Sequence, residues 1–188
     1  MTGPKKSLSD LSIDQNWTLF LDRDGVINEK IDNNYVGNWK QFQFRDGALE
    51  MIKKLSSLTG RTVIVTNQRG IGRGLMTEDD LACIHDNMKL AISNSGGNID
   101  GIYHCPHIIE DNCKCRKPQT GLALKAQDDF PQINFQKSLM IGDSISDMEF
   151  AKRLGMTKVL IANNFPIPNN DLIDYYFSDL RMLTRNIT

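Results

Sequence analysis

Short apolar runs that stop abruptly at polar or acidic residues constrain the fold of this chain more than any other feature. They occupy residues 17–21, 61–66, 138–142 and 157–161, with 101–104 as a shorter fifth run. Their length, their content of β-branched residues and their polar boundaries are typical of buried strands. The sequence therefore predicts a sheet in which polar and acidic residues follow the strands at one edge.

Amphipathic segments separate these runs. The apolar residues of 48–58 fall on one helical face, and Thr77 with Asp80 forms a capping box ahead of a second periodic segment. Further helices are predicted at 121–130 and 147–154. Alternating strands and helices imply right-handed crossovers, so we expect an α/β three-layer sandwich around a mostly parallel central sheet. In such sheets ligands bind beyond the carboxyl ends of the strands.

Length and composition bound the domain organisation. The 188 residues, 40% hydrophobic and 24% charged, fit one globular domain. Residues 1–16 are polar and lack the apolar segment of a signal peptide, so we expect a flexible extension there and a single domain over 17–188. The net charge of -1 and the absence of a long apolar run argue against nucleic acid and membrane partners, and we expect a monomer.

Carboxylates at the strand ends indicate a magnesium site. Asp22 and Asp24 directly follow the first run, before Gly25, and Asp143 follows the third. Carboxylates this close repel one another unless a cation lies between them, and oxygen ligands favour Mg²⁺. Taken alone, such residues also fit ordinary turns and helix caps, and Asp147 alone fits a helix N-cap.

Other strand ends offer groups for phosphate. Thr66 and Asn67 supply a hydroxyl and an amide, and Lys117 supplies a positive charge. A phosphoryl group in transfer spreads negative charge over its oxygens, which such groups stabilise. The alternatives are turn chemistry for Thr66 and Asn67 and a solvated surface position for Lys117.

A second metal site is predicted in the segment Cys105-Pro-His107-x5-Cys113-x-Cys115. Three thiols and one imidazole complete a tetrahedral Zn²⁺ shell with no position left for water, so this zinc would be structural. The alternative is a chance cluster of buried cysteines. Because the loop 105–115 runs directly into Arg116 and Lys117, the metal would fix both cations. Thiols kept for a metal also favour the reducing cytoplasm.

These motifs, in this order, resemble the haloacid dehalogenase (HAD) phosphatase superfamily, whose fold is Rossmann-like. The matching segments are Asp22-x-Asp24-Gly25-Val26, Thr66-Asn67, Lys117 and Gly142-Asp143-x3-Asp147. The resemblance implies that Asp22 is the nucleophile of an aspartyl-phosphate mechanism and Asp24 the general acid and base. It further implies that Thr66 and Lys117 bind phosphate, and that Asp22, the Asp24 carbonyl and Asp143 hold Mg²⁺.

The zinc loop narrows the resemblance to the branch of heptose-bisphosphate phosphatases and histidinol-phosphate phosphatases. Tyr35 and the segment Thr66-Asn67-Gln68-x-Gly-Ile-x-Arg73-Gly74 favour a sugar bisphosphate, and with it the 7-phosphate of D-glycero-D-manno-heptose 1,7-bisphosphate in carbohydrate metabolism. Substrate contacts are expected from Tyr35, Asn67, Gln68, Arg73 and Arg116. Two arginines suit the second phosphate and would repel the cationic end of histidinol phosphate.

Three rival interpretations remain at this stage. A histidinol-phosphate phosphatase is favoured by the short five-residue gap between His107 and Cys113. A non-catalytic, zinc-ordered binding module would have no need for two adjacent carboxylates. A polynucleotide end phosphatase shares the motifs, although the near-neutral charge disfavours it. The segments 28–43 and 69–76 leave room only for loops, so we expect a minimal cap over the site.

Overall fold

The computed structural model describes residues 8–31, 34–163 and 171–187. The strands are β1 (Thr18–Leu21), β2 (Arg61–Asn67), β3 (Gly101–Cys105), β4 (Ser138–Gly142), β5 (Thr157–Ile161) and β6 (Tyr175–Phe177). The helices are α1 (Ala48–Leu58), α2 (Arg69–Gly72), α3 (Glu78–Asn94), α4 (Gly121–Asp129), α5 (Ile145–Leu154) and α6 (Leu180–Arg185). Short 3-10 helices lie at Leu8–Asp10, Trp39–Gln41, Ile109–Asp111 and Phe135–Lys137.

The strands form one sheet in the order β3-β2-β1-β4-β5-β6, and every pair of neighbours is parallel. The central strand β1 pairs with β2 on one side and β4 on the other, with Leu21 opposite Ile64 and Ile141. The residues that follow these three strands therefore emerge side by side at one edge.

Alternating side chains of each strand enter two separate cores, one on either face of the sheet. Leu19 and Leu21 pack in the core that contains α1, α3 and α6. Phe20 packs in the opposite core with residues of α4 and α5. This two-residue alternation confirms the predicted three-layer sandwich.

The predicted elements agree closely with the observed ones. The capping box of α3 is present: Thr77 Oγ1 accepts from the Asp80 amide at 3.1 Å, and Asp80 accepts from the Thr77 amide at 2.9 Å. Strand β6 and the helices α2 and α6 were not predicted, because three residues of strand and four or six of helix are too short to produce a clear period.

Residues 8–16 of the predicted flexible extension pack against the domain. Leu8 is buried in the core beneath α1 and α6, and Leu11 and Ile13 pack against the same core. Burial of these apolar side chains keeps residues 8–16 on the domain. Residues 1–7 lie outside the described part.

Connections over the site are short. In the described residues between β1 and α1, the regular structure consists of the 3-10 helix at Trp39–Gln41 and isolated bridges through Asn28. Between β2 and α3 there is one turn of helix, α2. The site edge therefore carries loops and no separate cap domain in the described chain. None of the described helices has the length and apolar content needed to cross a bilayer.

Candidate active site

Asp22 stands at the centre of the site because β1 is central in the sheet. Its amide donates to the carbonyl of Ile141 on β4 at 3.0 Å, which extends the strand pairing to the start of the turn. The following turn requires Gly25, whose φ is +92°. A Cβ there would collide with the Asp143 carboxylate, so glycine lets the two acidic turns approach.

Lys117 lies against the Asp22 side chain. Its Nζ is 2.8 Å from Asp22 Oδ1 and 2.7 Å from Asp147 Oδ1, and it donates to the carbonyl of Val65 at 2.7 Å. Only 3% of the residue is exposed. Burial by itself would lower the pKa of Lys117, but the Asp147 and Asp22 carboxylates outweigh it and raise the pKa above its usual value. Lys117 is thus a buried cation held beside Asp22, rather than a solvated surface lysine.

Asp147 lies in the site, although the sequence placed it in the last motif without assigning it a role. The fit to an N-cap was wrong, because Ser144 caps α5 and Asp147 is its capping-box partner. Ser144 Oγ donates to Asp147 Oδ2 at 2.6 Å, which leaves Oδ1 for Lys117. The spacing of Asp143 and Asp147 placed both acids in one motif, but only the fold shows that Asp147 faces Lys117.

Asp22, Asp143 and Asp147 bring their carboxylate oxygens within 4.8 Å of one another. Burial, opposed by Lys117 and reinforced by Asp147 and Asp143, raises the pKa of Asp22 to about 7. Oδ1 of Asp143 is buried without a hydrogen-bond partner among the described residues. Oxygen donors with excess negative charge and one unpartnered oxygen fit a divalent cation such as Mg²⁺.

Lys30 is a second site residue that the sequence did not single out. Its Nζ lies 2.5 Å from Asp143 Oδ2, and half of its side chain is exposed. Burial would lower the pKa of Lys30, but the Asp143 carboxylate raises it. Lys30 therefore supplies a half-exposed positive charge at the edge of the acidic cluster.

Asp24 is held by three side-chain donors. Oδ1 accepts from Arg23 at 3.0 Å and from Asn28 Nδ2 at 2.9 Å, and Oδ2 accepts from Gln68 Nε2 at 2.7 Å. Burial would raise the pKa of Asp24, but the Arg23 charge and these hydrogen bonds lower it. Asp24 rests as a carboxylate in a fixed orientation.

The predicted phosphate ligands line a cavity of about 220 Å³ with Asp22 and Asp24. Thr66 is buried at its wall and accepts from Gln68 Nε2 at 2.8 Å. Asn67 also anchors the Lys117 backbone, since it accepts from the Lys117 amide at 2.9 Å and donates to its carbonyl at 3.2 Å. Gln68, predicted to touch substrate, is 1% exposed and directs its amide to Asp24 and Thr66.

The predicted arginines lie in different surroundings. Arg116 lines a neighbouring cavity of about 400 Å³ with Asn67 and Lys117, and its Nη1 is buried without a hydrogen-bond partner among the described residues. Arg73 is exposed just after α2 and is not among the residues that line the cavities next to Asp22. Tyr35 lines a third cavity, of about 170 Å³, together with Asp24, and its hydroxyl is buried.

The predicted zinc ligands converge. Each of four residues offers one ligand atom, and all four atoms lie within 4.8 Å of one another: Cys105, His107, Cys113 and Cys115. Cys115 Sγ is 2.9 Å from Cys105 Sγ and 3.2 Å from His107 Nδ1. Three sulfurs and one nitrogen around one point match the donor set of a closed, structural Zn²⁺ site.

Comparison with known proteins places the chain in a family. A model described as HAD-hydrolase-like matches residues 114–172. The D-glycero-alpha-D-manno-heptose-1,7-bisphosphate 7-phosphatase of Mycobacterium tuberculosis (strain CDC 1551 / Oshkosh) is 44% identical over 135 residues, which cover 72% of this chain and 71% of that protein. This chain belongs to the heptose-1,7-bisphosphate 7-phosphatase family.

Other members of the heptose-1,7-bisphosphate 7-phosphatase family agree with this assignment. The beta-type enzyme of Yersinia pestis is 38% identical over 157 residues, covering 79% of this chain and 82% of that protein. The crystal structure of D,D-heptose 1.7-bisphosphate phosphatase from B. bronchiseptica, complexed with magnesium and phosphate, has a TM-score of 0.80 and 29% identity, covering 90% of this chain and 96% of that one. The predicted resemblance and fold class are confirmed.

Proposed function

We propose that this protein hydrolyses the 7-phosphate of D-glycero-D-manno-heptose 1,7-bisphosphate through an aspartyl-phosphate intermediate. The observation that carries the proposal is the convergence of Asp22, Lys117 and Asp143 at one sheet edge, in a chain 44% identical to an enzyme named for this reaction. A non-catalytic module would gain nothing from burying these carboxylates.

The nucleophile is the Asp22 carboxylate. An oxygen of Asp22 forms a bond to phosphorus while the bond from phosphorus to the sugar oxygen breaks. Lys117, 2.8 Å from Asp22, offsets the repulsion between carboxylate and phosphate and stabilises charge on the transferring group. Thr66 lines the same cavity and would hold a phosphate oxygen.

Asp24 moves the protons. Its lowered pKa leaves Asp24 a carboxylate in the free enzyme, so it takes up a proton when the anionic substrate binds and gives that proton to the leaving sugar oxygen. As a carboxylate again, it then takes a proton from the water that attacks the aspartyl phosphate. Its three donors keep the carboxylate at the cavity that it shares with Asp22. One residue therefore serves both half-reactions.

Magnesium and zinc have separate roles in this proposal. Asp22, Asp143 and the Asp24 carbonyl would hold Mg²⁺, which when bound neutralises the acidic cluster and the phosphate. Cys105, His107, Cys113 and Cys115 would hold Zn²⁺, which gives the loop before Lys117 a fixed shape.

The second phosphate of the substrate needs a cation away from Asp22. Arg116 adjoins Lys117 and has an unpartnered buried nitrogen, so it is the candidate for a forked contact with that phosphate. Because three thiols must stay reduced to bind zinc, we also propose that the protein works in the cytoplasm. We further propose that it is a monomer.

The test compares phosphate release from both anomers of heptose 1,7-bisphosphate, from histidinol phosphate and from p-nitrophenyl phosphate, each with Mg²⁺. We expect the highest kcat/KM on one heptose bisphosphate anomer and complete loss in Asp22→Asn. Preference for histidinol phosphate would refute the substrate assignment. Activity that survives in Asp22→Asn would refute the mechanism.

A further inference from the structure

A buried arginine connects Asp24 to helix α3. Arg23 is 1% exposed, and its Nη2 donates to Asp24 Oδ1 at 3.0 Å and to Gln68 Oε1 at 3.2 Å. Its Nη1 lies 3.3 Å from Nε2 of His85, which is 8% exposed on α3. The mechanism above uses Asp24 but assigns no role to Arg23 or His85.

The protonation of His85 follows from its neighbour. Arginine has donors and no acceptor, so the nitrogen of His85 that faces Arg23 must accept a hydrogen bond. The imidazole is then neutral, with its proton on Nδ1. Burial, followed by the charge of Arg23, lowers the pKa of His85 to about 3, which agrees with a neutral ring at physiological pH.

The guanidinium of Arg23 is planar, so a contact at one nitrogen orients the other. His85 fixes Nη1, and Nη2 then points to Asp24 and Gln68. Helix α3 supplies a rigid support, because Leu81, Ile84 and Met88 on its inner face are buried in the core. Without an acceptor at His85, the guanidinium could rotate about its long side chain, and the Asp24 carboxylate would lose one of its fixed donors.

We propose that His85 is a positioning residue that acts through Arg23 to hold Asp24 in the orientation for proton transfer to the leaving group. Among the described residues, His85 makes no hydrogen bond to Asp24, and it does not line the cavity of Asp22. The inference rests on the proposed function, since it requires Asp24 to act on the leaving group.

The leaving group makes the proposal testable. When the Asp22 oxygen bonds to phosphorus, the electron pair of the breaking bond remains on the leaving oxygen, and the proton of Asp24 moves to that oxygen. A sugar alkoxide is a strong base and needs this proton. A p-nitrophenolate ion is a weak base and leaves without it. Misplacing Asp24 should therefore slow the hydrolysis of sugar phosphates but not that of p-nitrophenyl phosphate.

The experiment measures kcat/KM of His85→Leu, His85→Gln and a matched control, His104→Gln, on heptose bisphosphate and on p-nitrophenyl phosphate. This parameter covers the steps up to the aspartyl phosphate, whose hydrolysis is the same for both substrates. For His85→Leu we expect a loss of about tenfold or more on the sugar phosphate and a change within about twofold on the aryl phosphate. Gln has an acceptor oxygen, so His85→Gln should recover most of the loss.

Equal losses on both substrates, or none on either, would overturn the proposal. If His85→Leu does not fold, as judged by its melting curve, His85→Ala provides the same comparison. Should the wild type reject heptose bisphosphate but cleave another alkyl phosphate, such as glycerol 3-phosphate, the substrate assignment fails while the leaving-group comparison proceeds on that compound. Cleavage of aryl phosphates alone would refute both.

Discussion

Asp147 Oδ1 lies 2.7 Å from Lys117 Nζ in the interior of the site, and Asp147 has no exposed surface. The same carboxylate closes the capping box of α5 through its other oxygen. The start of helix α5 thereby fixes the position of the Lys117 ammonium group. This relationship has consequences for both stability and activity.

Replacing Asp147 by Asn should remove the charge that holds Lys117 while keeping the shape of the side chain. We expect kcat to fall about tenfold or more, because Lys117 would no longer be fixed beside the phosphate. The free energy of unfolding should fall by about 1–3 kcal/mol, less than for a fully orphaned charge, since Asp22 still pairs with Lys117. Steady-state kinetics and urea unfolding measure the two effects. Asp128→Asn, at an exposed position, is the control, and an unchanged kcat in Asp147→Asn would contradict the role.

Removing one zinc ligand should lower stability and activity together. In Cys113→Ala the remaining three ligands bind zinc weakly, and the loop that leads to Lys117 loses its fixed shape. A loss of about 2–3 kcal/mol would lower Tm by roughly 5–10 °C. Metal analysis and melting curves report the outcome, with the exposed Cys83→Ala as the matched control. A melting temperature that chelation leaves unchanged would count against a structural metal.

Arg116→Ala should weaken binding of the substrate's second phosphate. We expect KM for heptose bisphosphate to rise about tenfold with little change in kcat, because a charge-assisted hydrogen bond is worth about 1.5–3 kcal/mol. A substrate with one phosphate should show a much smaller change. Arg73→Ala serves as the comparison, since Arg73 is exposed and does not line the adjoining cavities. Equal effects of the two substitutions would mean that both arginines reach the substrate.

His85 should contribute to the pH dependence of stability. Burial, with Arg23 and His104 nearby, lowers the pKa of His85 to about 3, against 6.5 for the free side chain. Between pH 3 and 6.5 the unfolded chain binds a proton at His85 that the folded protein does not bind. The contribution of His85 to the free energy of unfolding is therefore fully present above pH 6.5 and is lost as the pH falls towards 3. The slope is about 1.4 kcal/mol per pH unit.

Urea unfolding at pH 7.5 and 5.5 tests this linkage. From the first pH to the second, the wild type should lose about 1.4 kcal/mol more than His85→Gln, which has no titrating group at that position. The difference between the two proteins removes the contribution of the other titrating residues. Parallel losses in both proteins would show that His85 titrates normally in the folded state.

Local patterns were sufficient for most of the fold. The runs before Asp22 and Asp143 predicted strands because a strand buried on both faces consists of consecutive apolar residues. The Thr77 capping box predicted the start of α3. Strand β6 was not predicted, because Tyr175–Phe177 is too short for an alternating pattern of apolar residues and is defined by its pairing with β5. The buried position of Leu8 was missed because the few apolar residues of this polar segment produce no periodic pattern.

The sequence by itself determined which chemical groups this protein has: the acids after β1 and β4, Lys117 and the thiol cluster. Their types and spacing are local, so the motifs could be recognised without coordinates. Only the tertiary structure decided that Asp147 holds Lys117 and that His85 reaches Asp24 through Arg23. The contacts of Asp147 with Lys117 and of His85 with Arg23 join residues far apart in the chain, and burial strengthens them, which no local pattern shows.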